Sequence, residues 1–139
     1  MQGSSPDEVT ERVGEWIYSH ADTLKTVLVE TNSIGNVYMS VLKKRLGPAG
    51  AKVKGFTTTN ASKREVVELV QHKFQTHTLT IPNDADLLYQ LGSFTVKLTQ
   101  SGTKVTYENA SSTDHDDCVM SLCFLCKAAD TRPATMLTF

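Results

Sequence analysis

The stretch DHDDCVMSLCFLCKA, residues 114–128, places three carboxylates and a histidine directly ahead of an apolar run. At neutral pH Asp114, Asp116 and Asp117 repel one another, so something must compensate the cluster. Helix capping is one answer: acidic residues at a helix start accept hydrogen bonds from free backbone N–H groups and complement the positive end of the helix dipole. A bound hard cation such as Mg2+ is another, because such ions take carboxylate oxygens. Glu30 is a second acid in an informative place. It ends the apolar, β-branched run LKTVLVE and precedes a turn containing Asn32, Ser33 and Gly35. In open α/β sheets, ligands bind outside the carboxyl ends of the strands, while capping the next helix is the ordinary structural use of such an acid. Two carboxylate groups converging from distant parts of a chain can hold Mg2+ or Mn2+, ions that activate water and stabilise a leaving oxygen in phosphodiester hydrolysis.

Other chemistry-bearing residues are less pointed. Cys118, Cys123 and Cys126 all fall in the segment after the acids, and CFLC fits a C-x-x-C pattern. A zinc site would need two more soft ligands, with His115 the nearest candidate, so buried small hydrophobes are the expected role. Lys43, Lys44 and Arg45, with Lys52, Lys54, Lys63 and Arg64, could form a basic rim on phosphates or a solvated face. His20, His72 and His77 are scattered, and no Ser-His-Asp or Cys-His arrangement follows from spacing. Phe56, Phe94 and Tyr107 read as core.

The elements that must position these residues follow from periodicity. Ser5 as N-cap, Pro6 at the first helical position and Glu8 form a capping box, and Val9, Val13, Trp16 and Ile17 continue at helical spacing to about His20. LKTVLVE predicts a buried strand. NVYMSVLKKRL predicts a second helix, stopped by GPAG, and AKVKGF a second strand. NASKREVVELVQHKF predicts a third helix, capped by Asn60 or Ser62. LTIP is a brief extended piece, and DADLLYQLGSF opens with a helical turn or two. FTVKLTQSGTKVTYE alternates and breaks at Ser101-Gly102, the signature of a hairpin. The acidic cluster then starts the last helix, with Val119, Leu122, Cys123 and Cys126 as its buried stripe. Strands joined through helices favour a parallel pair in a helix-covered sheet, so the expected class is α/β.

The chain has 139 residues, a net charge of -1, a 40% hydrophobic share and a 21% charged share. That is room for one domain with a core, and it excludes a strongly basic, histone-like binder. No apolar stretch is long enough to span a membrane, and the polar start MQGSSPDEVTER lacks a signal-peptide core. An intracellular protein is expected. No G-x-x-x-x-G-K-[ST] phosphate loop occurs; GPAGAKVKG has the glycines alone.

Four segments, VLVETNSIGNVYMSVLKK, TTTNASKREVVELV, LTIPNDADLLYQLGSF and DHDDCVMSLCFL, resemble in this order the C-terminal nuclease domain of phage terminase large subunits, the DNA-packaging motors of tailed phages. The resemblance spans roughly residues 7–128, and its most specific parts are VE-x-N-x-x-G and HDD-x-V-M-S-L. It implies an RNase H-like nuclease core, truncated at the N-terminus, with a β-hairpin before the last helix. Residues 1–130 would form this partial nuclease domain and 131–139 a tail. It further implies Mg2+- or Mn2+-dependent endonucleolytic cleavage of concatemeric double-stranded DNA. Glu30 matches the strand-end acid, Asp116 and Asp117 the acidic pair, and His115 the neighbouring histidine. Glu30, Asp116 and Asp117 would hold the metal, and Lys43, Lys44, Arg45, Lys63 and Arg64 would contact DNA.

By the same likeness the partners would be double-stranded DNA, the terminase ATPase domain, the portal and the small subunit, in the cytoplasm of a phage-infected or prophage-carrying cell. The family's first aspartate, carried on an N-terminal strand, has no counterpart here, and Asp7, in a first helical turn, is no substitute. Gln90 stands where many relatives have glutamate. An isolated chain lacking one acid is expected to cut slowly or not at all, and a non-catalytic remnant or interaction module is the alternative. The strand ending at Glu30 would also present an unpaired edge, so a homodimer through it, a strand exchange or a relocated hairpin is expected.

Overall fold

A computed structural model of the chain describes residues 4–98, 105–109 and 115–130. It divides into two compact units, one ending at Thr58 and one beginning at Thr59.

In the first unit, helix α1 (Pro6–Ser19) begins with the expected capping box: the Glu8 N–H donates to Ser5 Oγ at 3.2 Å and the Ser5 N–H to Glu8 Oε2 at 2.9 Å. Its buried stripe is Thr10, Gly14 and Ile17, which corrects the place given to Trp16. Trp16 is 54% exposed and stacks on His20, ring centroids 4.3 Å apart. The reason is angular. Trp16 is one residue, about 100° of helix, away from Ile17, and α2 (Gly35–Leu46) packs against α1 where Gly14 leaves room. A Cβ at Gly14 would lie 3.3 Å from Arg45 Cδ. Strands β1 (Val27–Glu30) and β2 (Val53–Phe56) pair in parallel, Val27 opposite Val53 and Glu30 opposite Phe56. Ile17, Leu42, Leu46 and Val53 form the core, with Val27 and Val29 packed against it from alternate positions of β1. Ala51 and Lys52 belong to a 3₁₀ turn, Gly47–Lys52, and not to the second strand as expected. Pro48 starts that turn and Gly47 adopts φ +55°, a conformation suited to glycine.

In the second unit, helix α3 (Asn60–Gln75) is capped by Thr59, not by Asn60 or Ser62. Thr59 keeps an extended backbone and its Oγ1 accepts from the Ser62 N–H at 3.1 Å; Ser62 completes the box as the third helical residue. Helix α4 (Ala85–Ser93) is capped by Asp84, whose Oδ1 accepts from the Leu87 N–H at 2.9 Å. Strands β3 (Phe94–Leu98) and β4 (Val105–Asn109) form the expected antiparallel hairpin, Phe94 opposite Asn109 and Leu98 opposite Val105. Among the described residues they pair only with each other. Helix α5 (Asp117–Asp130) buries Val119, Leu122, Cys123 and Cys126, the predicted stripe. It packs on α3 and α4, and β4 also packs on α3. Ion pairs join Lys63 to Asp116 at 3.1 Å, Lys73 to Asp130 at 2.9 Å and Lys127 to Glu65, and so tie α3 to α5 at several points.

The Ser101-Gly102 turn, Asp114, the Tyr107 side chain and the tail 131–139 lie outside the described residues. No helix among the described residues is long and apolar enough to cross a membrane.

Candidate functional site

Glu30 closes β1 in the first unit, with its side chain exposed. Its carboxylate accepts from Thr58 Oγ1, and Thr58 is itself fixed. The Asn32 side-chain amide donates to Thr58 O at 2.7 Å and accepts from the Thr58 N–H at 2.7 Å, imitating one more rung of the ladder past Phe56. Thr31 adds a backbone N–H to Phe56 O at 2.9 Å. Helix α2 has no side-chain cap, so capping the next helix is not what Glu30 does. The strand-to-helix turn is tight. Ser33 sits at φ +51°, and a Cβ on Gly35 would come within 1.9 Å of the Glu30 carbonyl oxygen, which excludes every other residue without a backbone shift. The glycine of VE-x-N-x-x-G and the strand-end acid are therefore coupled through the backbone.

In the second unit, Asp116 occupies the cap position of α5, its carbonyl accepting from the Met120 N–H at 2.9 Å. Among the described residues its carboxylate bonds a side chain and not the helix end. It accepts from Lys63 Nζ at 3.1 Å, with side chains 31% and 21% exposed. The ammonium also lies 5.6 Å from the centre of the Phe94 ring, within cation–π range. The first-turn N–H of Cys118 is taken instead by Gln90 Oε1 at 2.7 Å. Asp117 lies in the first turn of α5 and is exposed, as is His115. The charge puzzle thus has a third solution beside capping and a bound cation: a lysine of the same unit, backed by the positive ends of α3 and α5, which begin near one another.

The described donors suit Mg2+ or Mn2+ in kind, since all are carboxylate oxygens. They fall short in number, because among the described residues no three His, Cys, Asp or Glu side chains group as a metal site. Glu30 belongs to the first unit and Asp116 with Asp117 to the second.

The basic candidates divide by what they touch. Lys43 and Lys44 are exposed in the last turn of α2. Arg45 lies 3.8 Å from Glu11, Arg64 is bonded to Glu68 at 2.6 Å, and Lys63 is held by Asp116. The thiols are free: Cys123 and Cys126 are buried and Cys118 is half-buried. Thr58, Asn32 and the pairing roles of Lys63 and Gln90 escaped the reading of the sequence. Lys63 and Asp116 are 53 residues apart, and no periodic signal links them. Gln90 was visible only as a departure from the family pattern.

The mixed arrangement of helices with a parallel strand pair and a hairpin has a counterpart among solved structures. The chain is similar to the large terminase nuclease from thermophilic phage G20c, whose crystal structure it matches with a TM-score of 0.70 at 18% sequence identity. The match covers 96% of this chain and 66% of that one, so the chain spans just under two thirds of the nuclease's length. No protein-family model and no curated protein matches the sequence.

Proposed function

We propose that the chain is the later part of an RNase H-like, terminase-type nuclease domain acting on double-stranded DNA with Mg2+ or Mn2+. The observation that supports this reading most is the fold likeness to a large terminase nuclease over 96% of the chain. Beside it stand a strand-end Glu30 that does not cap α2 and an exposed Asp117 next to Asp116 at the start of α5. The reading assigns Glu30, Asp116 and Asp117 to ion binding and His115 to the same neighbourhood. One further acid must come from outside these residues. When bound, a divalent ion would supply charge neutralisation at the cleaved phosphodiester. What this chain's residues contribute is placement: Thr58 orients the Glu30 carboxylate, Gly35 permits the turn behind it, and Gln90 holds the first turn of α5. Lys43 and Lys44, exposed at a helix end, are the proposed phosphate contacts. An ATPase domain, a portal and a small subunit are proposed partners by the same likeness.

The test is calorimetric titration of the purified chain with Mn2+, alongside cleavage of linear double-stranded DNA. Weak Mn2+ binding and slow cleavage are expected, both diminished by Glu30→Gln and by Asp117→Asn. A chain that binds no divalent ion, or binds it equally well without both acids, overturns the proposed site.

A further inference from the structure

We draw no further inference here: the strongest candidate, the apolar groove of the first unit lined by Val9 and Val13 of α1, Val29 of β1 and Tyr38 and Leu42 of α2, is an unpartnered face, and nothing in the structure shows what covers it.

Discussion

Burial pushes the Cys123 thiol up to about 12 from an ordinary 9.0, with the nearby Cys126 and Asp116 adding to the rise and Lys63 opposing it. Burial likewise raises Cys126. A thiol needs to be a thiolate to attack, so both should be inert at pH 8. Alkylation by iodoacetamide is expected to mark Cys118 first and to reach Cys123 and Cys126 only on unfolding; modification of all three at one rate would contradict the packing. The linkage has a definite sign. Below the ordinary thiol value both folded and unfolded chains keep the proton, and the stability that goes with burial is fully present. Between 9.0 and about 12 the unfolded chain loses the Cys123 proton and the folded one retains it. Stability measured by urea titration should therefore fall as pH climbs through that window. These thiols were legible in the sequence because they share a helical stripe with Val119 and Leu122. The acids were legible as a cluster, but their counter-charge was not. A lysine 53 residues away leaves no local trace, and only the folded unit brings it to Asp116.

Helix starts tell the same story one level up. The Ser5-Pro6-Glu8 signal is contiguous, and α1 begins where it says. At α3 the run Thr57-Thr58-Thr59-Asn60 offers four residues able to cap, and local chemistry does not rank them. Thr58 is taken by Asn32 and Glu30, which leaves Thr59 as the cap. Thr59→Ala should cost about 1 kcal/mol in chemical denaturation; no measurable loss would mean that Ser62 sustains the helix start alone. For α5 the cap is borrowed from α4. Gln90→Ala strips the acceptor from the Cys118 N–H and should destabilise by about 1 kcal/mol. Gln90→Glu offers an acceptor again but brings a third carboxylate toward Asp116 and Asp117. It should recover little stability in low salt and more at high ionic strength, where like charges are screened. Equal stability of the Glu variant at both salt levels would remove the electrostatic account of why an amide stands there.

At the scale of the whole chain, β1 pairs only with β2 among the described residues, and a parallel pair of four-residue strands has little independent stability. The second edge of β1 is a template for another strand. Concentration-dependent self-association, seen by light scattering and reduced by Leu28→Lys, which lies on the face of β1 opposite the core residues Val27 and Val29, is expected. A monodisperse monomer from micromolar to millimolar concentration would refute it. The parallel pair and the hairpin were readable from sequence because helices punctuate the first and a turn signal the second. The division at Thr58 and Thr59 was not, because no Gly-, Pro- or Ser-rich spacer marks it. Thr58 is stitched to Asn32 and Glu30, and the very next residue caps α3. For anyone cutting this gene into halves or threading a tag through it, that boundary is the wrong place. An insertion after Thr58 would loosen the anchor of the strand-end acid and unseat a helix start in the same stroke.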